Sequence, residues 1–324
     1  MSGVLGIAGT TSLIQTLHAG TATAGSPSAA GAQGTTATPS PGAPAEGAGT
    51  FTIGGDLIVN RLGFGAMRIT GPGIWGEPKD PAEARRVLQR AVELGVNFID
   101  TADAYGPEVS ERLIAASLSP YPRGLIIATK GGLLRPGASQ WVPDGRPEHL
   151  REACEGSLKR LKVARIDLYQ FHHPDPKVPL EDSIGELARL REQGKIHHVG
   201  VSNFSTDELA RARRIVPIVS VQNRYNLADR SSEDVLGVCT REGLAFIPWA
   251  PLASGSTGKL ESSPALDQVA AAHGASIMQV AIAWLLARSP AMLPIPGTSS
   301  VAHLEEDLAA ARLQLTAAEL KLLA

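Results

Sequence analysis

Three short stretches each close an apolar run with a polar residue. Asn97-Phe-Ile-Asp100 leads into Thr-Ala-Asp-Ala-Tyr105-Gly, Ile127-Ala-Thr-Lys130 into two glycines, and Tyr169-Gln-Phe-His172 into His173. An Asp, a Tyr, a Lys and a His form a coherent set for reducing a carbonyl, because hydride arriving at the carbonyl carbon leaves an alkoxide that must be protonated as it forms. Tyr105 is the expected proton donor. A free phenol, with a pKa near 10, is a weak acid at neutral pH. A neighbouring ammonium stabilises phenolate, so Lys130 is expected to lower that value. Asp100 is expected to pair with Lys130, since an unpaired buried ammonium tends to shed its proton. His172 is expected to donate to the substrate oxygen, as an oxyanion-hole group does. Each residue also has a plainer reading: Asp100 as a helix N-cap, Tyr105 as a packed loop residue, Lys130 as a solvated strand end. What favours chemistry is that all four stand at the ends of apolar runs.

Such residues need a scaffold that brings strand ends together. From Arg61 onward, short β-branched apolar runs alternate with longer amphipathic stretches, the pattern of parallel strands joined by crossover helices. Strands are expected at Leu62–Ala66, Val96–Asp100, Leu125–Thr129, Ile166–Phe171, His198–Ser202, Ile218–Gln222, Ala245–Trp249 and Met292–Ile295. Helices are expected at Ala82–Leu94, Pro147–Leu161, Leu180–Gln193, Thr206–Arg214, Ser232–Glu242, Ile277–Ala287 and Val301–Ala311. Eight strands with intervening helices favour an α/β fold of the (β/α)8 TIM barrel type, whose active sites lie where strands end and βα loops begin. Pro147 with Glu148 marks a helix start, and Gly95, Gly194 and Gly243 mark helix ends. The run Phe51 to Val59, with Gly-Gly-Asp at its centre, reads as an N-terminal β-hairpin that plugs the barrel floor. No GxGxxG directly joins a strand to a helix, which removes the support for a Rossmann cofactor site.

Composition narrows the partners. Thirty basic and thirty-two acidic side chains give a formal charge of −2 over 324 residues, so there is no global field for nucleic acid or an anionic membrane. Charges interrupt every apolar run before it reaches the roughly 20 residues that span a bilayer. Cys154 and Cys239 lack metal-ligand spacing and read as buried, inert thiols of a reducing compartment. Residues 1–50 are dominated by Ala, Gly, Thr, Ser and Pro, without the charged n-region and unbroken apolar run of a secretory signal. They are expected to be a disordered tail of a cytoplasmic protein, with one barrel domain over 51–324. Nothing in the sequence speaks to oligomeric state.

The run Phe98-Ile-Asp-Thr-Ala-Asp-Ala-Tyr-Gly106, followed in order by Ala128-Thr-Lys-Gly131, Asp167-Leu-Tyr-Gln-Phe-His172, Gly194-Lys-Ile-His-His-Val-Gly-Val-Ser-Asn-Phe204 and Leu293-Pro-Ile-Pro-Gly297, resembles the aldo-keto reductase superfamily over residues 51 to 324. The resemblance puts its catalytic tetrad on Asp100, Tyr105, Lys130 and His172. The segments Gly71 to Gly76, Ser220 to Asn226 and Ile295 to Leu304 look most like a bacterial branch that includes pyridoxal reductases (pyridoxine 4-dehydrogenases). By the same resemblance, Ser202, Asn203 and Gln222 hold the nicotinamide carboxamide, and Trp249 stacks on the ring. Pro251, Leu252 and Ala253 lead into a loop over the pyrophosphate. Thr298, Ser299 and His303 meet the adenosine 2′-phosphate at the helix N-terminus that Gly297 opens, with Glu306 and Asp307 on the adenine. His303 stands where the family has Arg and Asp307 where it has Asn, which removes a fixed charge that favours NADPH over NADH. NADPH remains the implied cofactor and NADH a possible one, because neither substitution supplies a carboxylate for the ribose diol.

The implied activity is NADPH-dependent reduction of a small aldehyde or ketone. Two other functions fit the same residues: an NADPH-binding subunit that reports redox state to a partner protein, and a Schiff-base lyase with Lys130 as nucleophile. Met67, Trp75 and Trp141 are candidates for an apolar substrate pocket. No metal site is expected.

Overall fold

The computed structural model describes residues 42–253 and 260–324. The expected tail up to residue 41 and the loop following Ala253 lie outside these. A hairpin comes first: β1 (Thr50–Ile53) pairs antiparallel with β2 (Leu57–Asn60), Ile53 opposite Leu57. Its turn uses Gly54 and Gly55 at positive φ, conformations that glycine adopts without Cβ strain. Seven parallel strands follow: β3 (Phe64–Gly65), β4 (Phe98–Asp100), β5 (Ile126–Gly131), then, after a second hairpin of β6 (Leu133–Gly137) and β7 (Gln140–Pro143), β8 (Ile166–Phe171), β9 (Ile196–Ser202), β10 (Ile218–Gln222) and β11 (Ala245–Phe246). They lie side by side in the order β3-β4-β5-β8-β9-β10-β11.

The helices are α1 (Pro81–Glu93), α2 (Val109–Leu118), α3 (Pro147–Leu161), α4 (Leu180–Glu192), α5 (Thr206–Arg213), α6 (Glu233–Glu242), α7 (Pro264–His273), α8 (Ile277–Arg288), α9 (Val301–Ala309) and α10 (Ala317–Leu322). Their ends follow local chemistry. Asp80 caps α1, its carboxylate accepting from Ala82 and Glu83 N–H with Pro81 in the first turn, which satisfies donors that have no partner inside the helix. Ser205 with Glu208 and Ser276 with Gln279 form capping boxes on α5 and α8. Gly243 ends α6 in the left-handed conformation.

The eighth stave differs from the expectation. Residues Met292–Ile295 form no continuous strand, yet their backbone closes the barrel on both sides. Phe246 N–H donates to Ala291 O and Leu293 N–H to Phe246 O, both at 2.8 Å. Across the other edge, Gly63 N–H donates to Pro294 O at 3.0 Å and Gly65 N–H to Pro296 O at 3.1 Å. Pro294 and Pro296 have no N–H to return, so this edge is held by acceptors alone. The backbones approach closely here. A Cβ on Gly65 would stand 2.6 Å from Ile295 O, and one on Gly297 2.3 Å from Gly65 O, so only glycine fits either place. The seventh expected strand is also shorter, although Ile247 and Trp249 N–H still reach Val221 and Asn223 O at 2.9 and 3.0 Å.

Inside the barrel, Phe98, Ile126, Leu168, Val219, Ile247, Leu293 and Ile295 form one apolar cluster, and Ile53 and Val59 from the hairpin join it. The hairpin therefore supplies part of the interior core. The expected tail overlaps the described residues, and there it needs correcting. Pro44–Ala48 form a short 3-10 helix, with Ala45 N–H on Leu94 O at 3.1 Å and the Ala45 side chain fully buried. Ala45 and Ala48 pack with Leu94 and Ala311, a fit into a shallow crevice that composition alone does not reveal. Among the described residues no single helix is long and apolar enough to cross a membrane.

Candidate active site

Asp100 ends β4, Lys130 lies one residue before the end of β5, and His172 directly follows β8. These strands are neighbours, in register Asp100↔Ala128 and Lys130↔Gln170, so the three side chains meet at the C-terminal rim. Tyr105 comes from the loop after β4. Lys130 is wholly buried and Asp100 is 2% exposed. Lys130 Nζ donates to Asp100 Oδ2 at 2.6 Å, Thr101 O at 2.9 Å and Tyr105 Oη at 3.1 Å. An ammonium has three N–H donors and no acceptor, so these bonds use all of them. Tyr105 Oη must therefore accept from Lys130, leaving its own proton for another partner.

The other oxygen of Asp100 is also held. Gln222 Nε2 donates to Oδ1 at 2.7 Å and Gln170 Nε2 at 3.0 Å. Gln222, expected on a carboxamide, thus uses an amide N–H to fix the carboxylate. Gln170 was not anticipated, although the period-two rule of a strand places it on the same inward face as His172.

The electrostatics correct one expectation. Burial pushes the Tyr105 phenol above its ordinary pKa; Lys130 pulls it down, but not enough to reverse the shift. The phenol is consequently protonated at neutral pH, the state a donor needs. For Lys130 burial alone lowers the pKa, yet Asp100 and Tyr105 together hold it above the usual lysine value. His172 goes the other way, held well below the histidine range by burial and by Lys130, so it is a neutral imidazole. Its Nδ1 is buried without a hydrogen-bond partner, which favours the tautomer with the proton on Nε2.

Aromatic rings wall this cluster. Trp141, from β7, stands edge-on to Tyr105 and to His172, each at 6.4 Å between centroids. Arg135, from β6, lies 3.6 Å over the Trp141 ring and 5.5 Å over Trp75. Its guanidinium donates to the carbonyls of Ala104, Ala138 and Gln140, tying the β6–β7 hairpin to the loop that carries Tyr105. Met67 instead lines a neighbouring groove of about 360 Å³ that includes Arg68, Lys79, Glu83 and Ser299.

A second polar group adjoins the cluster at the ends of β9 and β10. Asn203, held at φ 62°, donates from Nδ2 to His172 O at 3.0 Å and Ser202 Oγ at 3.1 Å, and accepts from Trp249 Nε1 at 3.0 Å. Ser202 Oγ donates to Gln222 O at 2.7 Å. Trp249 is half-buried rather than a core residue, with Arg224 5.7 Å from one face. The indole face of Trp249, with an amide and a hydroxyl beside it, suits the stacking of a flat ring. Pro251 and Ala253 are buried and Leu252 half-buried. Gly297, Ser299 and His303 are exposed near the start of α9, with Thr298 and Glu306 half-buried and Asp307 buried. Burial pushes the Asp307 carboxyl up to about 7. Thr298 Oγ1 accepts from Ser300 N–H at 3.1 Å, and Glu83 accepts from Val301 N–H at 3.1 Å.

Known proteins resemble this chain over most of its length. Residues 61–324 match the model of the aldo/keto reductase family. An uncharacterised oxidoreductase of Schizosaccharomyces pombe is 52% identical over 269 residues, 83% of this chain and 87% of the relative. Pyridoxine 4-dehydrogenase of Escherichia coli is 43% identical over 273 residues, 82% of this chain and 94% of the relative. The crystal structure of an aldo-keto reductase from Klebsiella pneumoniae in complex with NADPH superposes with a TM-score of 0.71 at 25% identity, covering 85% of this chain and 93% of that one. With a barrel closed around this rim and relatives of such identity, the chain belongs to the aldo/keto reductase family of NAD(P)H-dependent oxidoreductases.

Proposed function

We propose that this protein reduces a small aldehyde or ketone with NADPH, and that pyridoxal, reduced to pyridoxine, is the substrate to test first. The observation that carries the reading is the direction of the Tyr105 proton. With Lys130 donating to Tyr105 Oη, the phenol's own O–H is free to meet an oxygen placed between it and His172. Bound NADPH supplies the hydride. The chain's own residues do the rest: His172 donates from Nε2 to the carbonyl oxygen, orienting it, and Tyr105 releases its proton to that oxygen as negative charge develops. Lys130 then faces a phenolate, which it stabilises, while Asp100, Gln170 and Gln222 keep the ammonium charged and fixed.

Ser202, Asn203, Gln222 and Trp249 are the residues we assign to the nicotinamide. Pro251 and Leu252 we assign to the pyrophosphate, and Gly297, Thr298, Ser299, His303, Glu306 and Asp307 to the adenosine end. NADPH is favoured by the Klebsiella pneumoniae structure, which holds it. Pyridoxal is favoured by the Escherichia coli relative's name and by the rings of Tyr105, Trp141 and His172, whose edge-on packing forms a wall suited to a flat heteroaromatic. A Schiff-base role for Lys130 lacks support, because its nitrogen is an ammonium with every N–H committed.

The test compares NADPH- and NADH-linked reduction of pyridoxal and simple aldehydes by the wild type and Tyr105→Phe. The variant is expected to lose about 10²–10⁴-fold in kcat while binding dinucleotide normally in a fluorescence titration. Undiminished turnover in the variant would remove Tyr105 as the acid. Absent turnover of every carbonyl by the wild type, with dinucleotide still bound, would favour the redox-reporting subunit.

A further inference from the structure

The opposite end of the barrel carries a cluster that carbonyl reduction leaves unused. The β1–β2 turn brings Asp56 to the start of β9, where His197 and His198 stand side by side. His197 Nε2 lies 2.6 Å from Asp56 Oδ2, and His198 Nε2 lies 2.6 Å from Asp56 Oδ1. The two imidazole centroids are 4.2 Å apart. Successive residues of a strand normally face opposite ways, yet here both rings reach one carboxylate. The turn is shaped to them as well: a Cβ on Gly54 would stand 2.4 Å from the His198 ring.

We propose that Asp56, His197 and His198 bind a divalent transition-metal ion of the zinc type, fastening the β1–β2 hairpin to β9. Two imidazole nitrogens and one carboxylate oxygen, with water in the fourth place, form a donor set that Zn²⁺ accepts. Calcium and magnesium prefer oxygen ligands throughout. The three ligand atoms already converge within 4.8 Å of one another. Ligands on one tetrahedral ion stand about 3.3 Å apart, given bonds near 2.0–2.1 Å, so the carboxylate oxygens, now 2.6 Å from each ring nitrogen, have to withdraw for the ion to enter. Asp56 can do so, because its side chain is 51% exposed, whereas that of His198 is only 10% exposed and is preset against the turn. Asp167, on the adjoining strand β8, adds negative potential at both imidazoles. When the ion enters, each neutral imidazole presents the Nε2 lone pair and keeps its single proton on Nδ1.

The experiment uses the full chain, stripped with a chelator and then dialysed against Zn²⁺. One equivalent is expected to be retained and the melting temperature to rise. Asp56→Asn and His197→Gln, both changes at accessible positions, are each expected to weaken binding by more than about tenfold. Carbonyl reduction without added metal stays at the wild-type rate in both. A measurement that needs no variant uses Cu²⁺ as the probe, whose paramagnetic spectrum on the wild type is expected to show coupling to two imidazole nitrogens. Failure to retain Zn²⁺, equal affinity in wild type and variants, or a copper spectrum without nitrogen coupling would each overturn the site. None of these outcomes bears on the Tyr105 chemistry, which is read from NADPH oxidation.

Discussion

Three N–H groups on Lys130 meet three oxygens, and that simple matching sets which atom at the rim can give up a proton. Another single carboxyl invites a test by pH. Asp307, which the resemblance places where an Asn is usual, is raised by burial to about 7 from an ordinary 3.8. A protonated carboxyl offers one donor and one acceptor, as an amide does, so in its acid form Asp307 can replace Asn. Dinucleotide affinity is therefore expected to hold below pH 7 and to fall by up to about tenfold per unit above it. Asp307→Asn is expected to remove that fall, with the difference between the two proteins read by calorimetric titration at pH 6 and pH 8. The sign for stability agrees. A folded pKa above the unfolded one contributes stability that is full below about 4 and is lost as the pH rises through about 7, so Asp307→Asn should be the more stable protein at pH 8. At this scale much was legible: Asp100, Lys130 and His172 each close an apolar run, Tyr105 stands on the loop beyond the first of them, and the structure brings the four together. Gln170 was not, because a glutamine inside an apolar strand announces itself only once its carboxylate partner is known. The net direction of the Tyr105 shift was hidden too, since burial is a property of the folded chain.

Among the elements, Arg61 at the end of β2 does a fastening task. Its Nη2 donates to Leu286 O and Ser289 O, both at 2.6 Å, and its Nε to Met292 O at 3.3 Å. The first two carbonyls lie at the C-terminus of α8, where no intrahelical donor remains. Arg61→Met is expected to leave Leu286 O unpaired, with Ser289 O keeping only the Met292 N–H, and to lower unfolding free energy by about 1–3 kcal/mol in urea titrations; an unchanged midpoint would show that water replaces the guanidinium without loss. The bounds of α3, β8 and β10 could be read from sequence because Pro147 and unbroken apolar runs mark them. Helix α2 could not, since it buries Ser110 and Glu111 along with its apolar residues and so shows weak contrast between faces. Glu111 is satisfied only by distant groups, Thr129 Oγ1 and Arg160 Nε, each at 2.6 Å. The β6–β7 hairpin escaped because Arg135 and Pro136 interrupt any alternation, yet this element places Trp141 against the rim.

For the whole molecule, the two thiols report on integrity. Burial pushes both Cys154 and Cys239 up to about 12, so neither forms appreciable thiolate at neutral pH. Both are expected to stay silent toward a thiol reagent until the chain unfolds, with the onset of labelling tracking loss of circular dichroism. Early labelling of either would mean that its helix opens independently. The barrel itself was legible as an alternation of strands and helices, whereas its closure was not, because prolines in the last stave mask the strand that their carbonyls complete.

That closure has a kinetic side. Arg61 and Met292, which meet across it, are 231 residues apart in the chain, and bringing such remote segments together carries a large loop entropy. The edge has acceptors on one side only, so it lacks the reciprocal bonds that lock ordinary neighbours. Joining the first stave to the last should be the slowest event in refolding. In pulse-labelled hydrogen exchange, Gly63, Gly65 and Leu293 amides should gain protection after those of β8 and β9. Until then the curled sheet presents two bare rims, each able to capture a second chain.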